Sequence, residues 1–391
     1  MAVEANTTQA RGSRIRLGMV GGGQGAFIGA VHRMAARLDD QFELVAGALA
    51  SNPARARASA AEIGLAPERS YDSFETMARE EAARPDGIEA VAIVTPNHLH
   101  VPAARAFLNA GIHVICDKPL ATSVVEAEDL AALVRSSGRL FVLTHNYSGY
   151  PMMRQARAMV AAGELGDIRV VQAEYPQDWL TEPAERSGSK QAEWRTDPTR
   201  SGAGGCIGDI GTHAYHLAGF VTGLKTDELL AQLTTFVDGR ALDDDVQILL
   251  RYHGGARGML WASQVAVGHE NGLKLRVYGT KGGLEWTQAD PNYLWFTRFG
   301  ETRQLITRAG AGAGPAAARV TRIPSGHPEG YLEGFANIYA EAARAIRAAR
   351  AGQAPDPEVI YPTVEDGVDG MRFIAAAVAS SKAGNVWTKV G

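Results

Sequence analysis

Cysteine is nearly absent. Cys116 and Cys206 are the two in the chain, far apart and each set among apolar or glycine-rich neighbours. A disulfide framework is not expected, and a reducing compartment fits. No run of 18 uncharged apolar residues occurs, so no membrane-spanning helix is expected. Neither sign of charge dominates: 39 Lys and Arg against 43 Asp and Glu leave a net charge of -4. That balance gives no footing for nucleic acid or an anionic membrane as partner. The opening stretch MAVEANTTQARGSR lacks an apolar core, so it predicts a disordered tail over residues 1–13 rather than a secretory signal, in a cytoplasmic protein. Internal repeats are lacking too. What the chain has is hydrophobic residues, 46 % of 391, ample for the cores of about two to three domains.

The organising stretch is RIRLGMVGGGQGAFIGAVH, Arg14 to His32. Ile15, Leu17 and Val20 mark a buried strand, the glycines Gly21, Gly22, Gly23 and Gly25 follow at once, and a helical pattern starts near Phe27. In a strand–turn–helix, glycines allow a tight turn and a close approach to a dinucleotide pyrophosphate, and the helix N-terminus supplies unpaired N–H groups. The spacing departs from plain GxGxxG. The next helix-side glycine is Gly29, so the turn is enlarged.

Strands are expected at Phe42 to Leu49, Ile88 to Thr95, His113 to Cys116 and Leu140 to Thr144. Helical patterns lie between them, including a surface helix over Tyr71 to Glu81. Alternating strands and helices predict a parallel, doubly wound sheet whose ligands bind beyond the carboxyl ends of the strands. Thr95, Pro96, Asn97, His98 and Lys118 fall on that side. The strand ending Leu49-Ala50 lacks the usual ribose-binding acid; Ser51, Asn52 and Arg55 could hold a 2′-phosphate, or serve only as helix cap and solvated charge.

After His145 the pattern changes. Pro151 to Ala162 predicts a helix, and Trp179 to Arg200 a polar loop or lid containing Trp194 and Arg195. A glycine-rich approach leads into a helix, Asp209 to Phe220, with Asp209 and His213 four apart on one face. From Leu229 the period becomes two. Strands are expected over Leu229 to Phe236, Asp244 to Tyr252, Gly255 to Gln264, Lys274 to Gly279 and Gly282 to Glu285, with Trp286 to Arg298 continuing them. Ala309 to Ala318 predicts a mobile loop. Glu329 to Ala349 and Thr363 to Ser381 predict helices, the first with an apolar side of Phe335, Ile338, Tyr339, Ala342 and Ile346. Val386 to Val390 predicts an edge strand. The fold class is therefore α/β plus α+β.

Four separated signals agree: the glycine turn, Asp117-Lys118-Pro119, Trp194-Arg195, and Gly208-Asp209-Ile210-Gly211-Thr212-His213. Together they resemble the glucose–fructose oxidoreductase/inositol dehydrogenase/rhizopine catabolism family, written Gfo/Idh/MocA, over nearly the whole chain. The resemblance implies an N-terminal Rossmann domain, residues 14–145, and a substrate-binding and oligomerisation domain, 146–391, built on a large, mostly antiparallel open sheet. It places the last helix back toward the first domain. It implies NAD or NADP as cofactor, a carbohydrate or cyclitol substrate, and a homodimer or homotetramer. Carried over residue by residue, it makes Lys118, Asp209 and His213 catalytic. It puts the cofactor on Gly21, Gly23, Gln24, Gly25, Ala26, Phe27, Ile28, Ser51, Asn52, Arg55, Thr95, Pro96, Asn97, His98, Lys118 and Pro119. It puts the substrate on Lys118, Tyr147, Trp194, Arg195, Asp209 and His213. The longer turn and the missing ribose acid depart from the family pattern, the latter in the manner of members that accept NADP.

The chemistry stands without the name. Removing hydride from a carbinol also needs the hydroxyl proton to leave, to a base within about 2.6–3.2 Å. His213 suits that task and Lys118 suits stabilising the alkoxide charge; either could instead be an ordinary interface histidine or a solvated lysine. A metal held by Asp209, His213 and His216 with His269 or His327 is not expected, since no HExxH-type pattern occurs. Two other functions use the same residues: a glycosidase acting by transient oxidation and elimination, and a non-catalytic dinucleotide sensor.

Overall fold

The computed structural model describes residues 13–391, so the expected tail lies, but for Ser13, outside the described residues. Two compact units emerge. The first comprises the chain to Ala121, Val125–Gly149 and Tyr331–Val368; the second comprises Thr122–Val124, Tyr150–Gly330 and Asp369–Gly391.

The first unit holds a five-stranded parallel sheet of order β2-β1-β3-β4-β5. Its strands are β1 Ile15–Gly21, β2 Phe42–Ala48, β3 Ala90–Val94, β4 His113–Cys116 and β5 Phe141–Leu143. Every residue of β3, β4 and β5 is buried, and all but His113 are apolar, as expected of strands covered on both faces. Parallel neighbours need long crossovers, supplied by helices such as Phe27–Leu38, Pro53–Glu62 and His100–Asn109. The chain leaves β1 toward β2 on one side and returns to β3 on the other, and a ligand crevice belongs at that switch point.

Two expectations need correction here. The helix over 71–81 is Phe74–Ala83, and neither Tyr71 nor Glu81 is on the surface. The Glu81 carboxylate is buried because it is fully engaged. Arg69 Nε donates to it at 3.1 Å, Tyr71 OH at 2.8 Å and Ile88 N at 3.1 Å, and Arg69 Nη2 also donates to it. The second concerns the long helix, Tyr331–Arg350. Its apolar side is as expected, but it completes the first unit's core rather than the second's. Phe335, Ile338, Tyr339, Ala342 and Ile346 pack with Val31, Ala35 and Phe42; the Tyr339 ring stands edge-on to Phe42 at 5.4 Å. The apolar stripe of Phe27–Leu38 needs a cover, and the nearest matching stripe comes from far along the chain.

The second unit is built on a nine-stranded sheet of order β13-β12-β11-β10-β6-β9-β8-β7-β14. The strands are β6 Ile168–Pro176, β7 Thr226–Thr234, β8 Asp245–Tyr252, β9 Arg257–Ser263, β10 Lys274–Gly279, β11 Gly282–Thr287, β12 Tyr293–Arg298, β13 Gln304–Thr307 and β14 Thr388–Lys389. All pairings are antiparallel except β6 with β9. Alternate residues such as Val171, Ala173, Val246, Ile248 and Leu260 are buried, and helices Pro151–Ala161 and Thr212–Thr222 pack against this sheet. On the other parity a row of residues crosses the sheet in register: Leu249, Met259, Gln172, Arg276, Glu285, Trp295 and Leu305.

Two loops of this unit are more ordered than expected. Trp179 to Arg200 contains helices Lys190–Arg195 and Pro198–Ser201, capped by Ser189 and Asp197. Ala309 to Ala318 ends in the helical turn Pro315–Ala318, with Ala317 fully buried. Among the described residues no helix is long and apolar enough to cross a membrane.

Candidate functional site

In the first unit, β1 runs directly into the glycine turn. Gly21, Gly22 and Gly25 have φ of 78°, 71° and 78°, a region side chains with a Cβ disfavour. Gly23 N donates to Leu49 O at 3.2 Å and Gln24 N to Ser59 Oγ at 3.0 Å, so the turn is laced to the end of β2 and to the helix after it. Gln24 Nε2 reaches Glu62 at 2.7 Å. A Cβ on Gly23 would lie 2.7 Å from Leu49 O and from Ser59 Oγ, so protein packing alone already requires glycine there. Gly29 meets Gly22 in the same way, which explains the enlarged spacing. At Gly25 a Cβ would meet nothing within 4 Å. The N-cap Ala26 makes no side-chain hydrogen bond, so the helix opening with Phe27 and Ile28 has no side-chain cap on its first amides, as a phosphate requires. A cavity of about 410 Å³ lies against the turn, bounded by Phe27, Arg33, Leu49 and Glu62.

Ser51, Asn52 and Arg55 are exposed beyond β2. Asn52 Oδ1 accepts from Arg55 N at 3.0 Å and caps the helix Pro53–Glu62. After β3, Asn97 is buried, and Thr95 Oγ1 and His98 Nδ1 are buried without a hydrogen-bond partner among the described residues. Such orphaned polar atoms at the carboxyl end of a parallel strand fit a polar ligand. Lys118 follows β4, half-buried, before a cis bond to Pro119. The loop is fixed by Asp117, whose Oδ1 accepts from Thr144 Oγ1 at 2.7 Å and Lys118 N at 3.2 Å. His100 fixes it too: its ring nitrogens face Pro119 O at 2.7 Å and Thr95 O at 2.9 Å, and burial pulls its pKa down. His100 was missing from the sequence-derived set. Tyr147, 3 % exposed, lies beyond β5 with its ring 6.5 Å from that of Tyr331.

In the second unit the helix does not begin at Asp209. Ile207–Gly211 forms a π-helical turn and Thr212–Thr222 continues as α-helix. Single π turns inside helices cluster at functional sites. Asp209 lies on that turn and His213 in the first turn of α-helix. The Asp209 carboxylate is held by Arg195 Nε at 3.2 Å and Gln264 Nε2 at 2.8 Å. The Arg195 guanidinium lies 4.2 Å from the Trp194 ring centroid and 5.9 Å from that of Trp179. This joins the two halves of the 179–200 segment to Asp209. His213 is buried, its ring 6.1 Å from that of Tyr175. The structure thus gathers Asp209, Trp194 and Arg195, and adds Gln264 and Trp179, which sequence reasoning did not select.

The Gly326-His327-Pro328-Glu329 turn has a structural explanation. The buried Glu329 carboxylate accepts from Arg308 Nη1 at 2.9 Å, Arg322 N at 2.7 Å and Ile323 N at 3.0 Å. Among the described residues no group of three His, Cys, Asp or Glu is placed to hold a metal ion.

Known proteins share both halves of this arrangement. The profile "Oxidoreductase family, NAD-binding Rossmann fold" matches residues 15–145, and "GFO/IDH/MocA C-terminal domain" matches 153–285. The uncharacterised oxidoreductase YfiI of Bacillus subtilis (strain 168) is 36 % identical over 380 residues, 96 % of each chain. The chain belongs to the GFO/IDH/MocA oxidoreductase family. Within that family, the crystal structure of an oxidoreductase from Sinorhizobium meliloti is 60 % identical, with a TM-score of 0.88 over 97 % of this chain and 100 % of that one. An inositol dehydrogenase homologue from Azotobacter vinelandii, complexed with NAD+, is 38 % identical, with a TM-score of 0.94 over 98 % and 99 %. An inositol dehydrogenase homologue from Azotobacter vinelandii complexed with NADH and myo-inositol is likewise 38 % identical, with a TM-score of 0.90 over 96 % and 98 %. Residues 15–145, which carry the parallel sheet and the glycine turn, form an NAD-binding Rossmann domain.

Proposed function

We propose that the protein is a dehydrogenase that moves hydride between NAD(P) and a secondary alcohol of a cyclitol or sugar. The observation that carries this reading is the Asp209 carboxylate, fixed by Arg195 and Gln264 on the turn that leads into His213. It stands in a chain 38 % identical to a homologue crystallised with NADH and myo-inositol. Gly21, Gly25 and the amides at Ala26 to Ile28 would hold the cofactor pyrophosphate, Thr95 to His98 the nicotinamide side, and Ser51, Asn52 and Arg55 the adenosine ribose. The nicotinamide, when bound, accepts or returns the hydride.

Lys118, in a loop locked by Asp117 and His100, donates a hydrogen bond to the carbinol oxygen and stabilises charge developing there. A ring nitrogen of His213 takes the hydroxyl proton in oxidation and returns it in reduction. Asp209 accepts from a neighbouring hydroxyl, and Arg195, Trp194 and Tyr147 shape the site around the ring. A homodimer or homotetramer is part of the same reading. The cross-sheet row through Leu249, Met259, Trp295 and Leu305 is its support, with these four residues exposed, and sedimentation of the purified protein measures it.

The test is turnover. Wild type with NAD or NADP and a panel of cyclitols and sugars, myo-inositol first, should produce reduced cofactor. Lys118→Ala and His213→Ala should each lose about 10²–10⁴-fold in kcat while still binding NADH. Full activity in either variant, or no binding of either cofactor by wild type, refutes the assignment.

A further inference from the structure

Three consecutive amides open the turn that carries Asp209, and one residue takes all of them. Gly205 N donates to Asp243 Oδ1 at 2.7 Å and Ile207 N to Asp243 Oδ2 at 2.8 Å. Between them, Cys206 N donates to the Asp243 carbonyl at 2.8 Å. The approach is close: a Cβ on Gly205 would lie 2.3 Å from that carbonyl oxygen. A helix start leaves its first amides unpaired, and its own N-terminal neighbours usually cap them. Here those neighbours are Ala203, Gly204 and Gly205, which have no polar side chain. The cap therefore comes from across the unit, from the residues just before β8.

The next residue extends the anchorage. Asp244 accepts from Phe236 N at 2.8 Å, Val237 N at 3.1 Å and Arg240 Nη1 at 3.0 Å. Arg240 also donates to Leu180 O at 2.9 Å and to Glu185, so it ties down the segment that leads to Trp194 and Arg195. Gln264 N donates to Asp244 O at 2.8 Å, while the Gln264 side chain holds Asp209. The turn beneath Asp209 and the Gln264 that grips it are thus fastened to adjacent residues.

We infer that Asp243 is a positioning residue, which fixes the π-helical turn and through it the Asp209 carboxylate and the His213 ring without touching substrate. The inference rests on the roles proposed for Asp209 and His213. Burial pushes the Asp243 carboxyl up to about 6, against the pull of the two amides. A buried carboxylate is costly unless well bonded, and a catalytic turn gains from it in rigidity.

Asp243→Asn and Asp243→Ala test this in the full chain. Asn keeps the volume and one acceptor but turns an amide donor toward one of the two N–H groups; Ala removes both acceptors. Hydrogen exchange followed by mass spectrometry should show the 205–213 segment exchanging about tenfold faster in Asp243→Asn, and faster still in Asp243→Ala. Protection of residues 21–28 and NADH affinity should not change. With myo-inositol, or whichever polyol wild type turns over, kcat should fall by about 10–100-fold and KM much less. Unchanged protection at 205–213, or a wild-type kcat in Asp243→Asn, overturns the inference. So does an equal loss of NADH affinity, or an Asp243→Asn protein that does not fold, since Asp243 would then serve stability alone. His213→Ala measured alongside separates the two claims. If it keeps full activity, the base assignment fails, and the exchange measurement still decides whether Asp243 holds the turn.

Discussion

Gly29→Ala places one methyl group between the nucleotide-binding helix and the glycine turn. Its carbon would lie 2.4 Å from Gly22 Cα and 2.4 Å from Gly22 O. Two carbons rest at about 3.5–4.0 Å, so the backbones must separate by roughly 1 Å. Gly22 has little freedom to yield. Its φ is 71°, and Arg33 Nη1 donates to its carbonyl at 2.7 Å. Alanine gains about 0.8–1.0 kcal/mol over glycine in a helix interior, but overpacking costs about 1–3 kcal/mol, so the overlap should win. If the turn moves to relieve it, NADH binding loses up to that difference, and each 1.4 kcal/mol is about tenfold in Kd. The expected outcome is a Kd about 3–30-fold above wild type, read by NADH fluorescence titration. Gly64→Ala is the control. Gly64 has a φ of 76° and open space around it, so its variant bears a backbone cost of about 1–2 kcal/mol without touching the turn. It should melt lower and bind NADH normally. A Gly29→Ala protein that binds NADH like wild type would show that the close Gly22–Gly29 approach does not shape the cofactor site.

Cofactor choice is open to a similar titration. Arg55→Ala should lose NADPH affinity selectively if Arg55 meets a 2′-phosphate; equal effects on NADH and NADPH would leave it a solvated side chain near the Asn52 cap. His113 governs a pH effect. Its Nδ1 accepts from Leu140 N at 2.9 Å, and burial, helped by Arg139, pulls its pKa down to about 4. The unfolded chain, near 6.5, takes up that proton first, so stability is present above about 6.5 and is lost as pH falls toward 4. In His113→Asn the denaturation midpoint should fall less across that window, and an unchanged slope would contradict the reasoning.

The parallel sheet was legible because its central strands are almost wholly apolar; the bounds expected for His113–Cys116, and for Lys274–Gly279 in the nine-stranded sheet, are the ones observed. The glycine turn was legible because few local structures need so many glycines together. Glu81 was not: a carboxylate in a helical pattern reads as exposed, and its partners Arg69, Tyr71 and Ile88 are visible only once the chain is folded. Asp243 was hidden for the same reason. Asp243 stands just before the strand expected over Asp244 to Tyr252, and the amides it caps lie 38 and 36 residues earlier. β13 was missed because Gln304–Thr307 is too short to establish a period. The placement of Tyr331–Arg350 was lost to the assumption that neighbours in sequence share a core.

That placement has a consequence for how the protein is made. When Gly149 leaves the ribosome, all five strands of the parallel sheet and the glycine turn have been synthesised. The core still lacks Phe335, Ile338, Tyr339, Ala342 and Ile346, which cover Val31, Ala35 and Phe42. The whole of Tyr150–Gly330 must emerge before the helix that closes it. Until then the nascent nucleotide-binding unit carries an open apolar face, a state that calls for chaperone protection and invites aggregation. A premature stop anywhere before Tyr331 would thus disable a nucleotide site whose own glycines are translated long before the helix that completes its core.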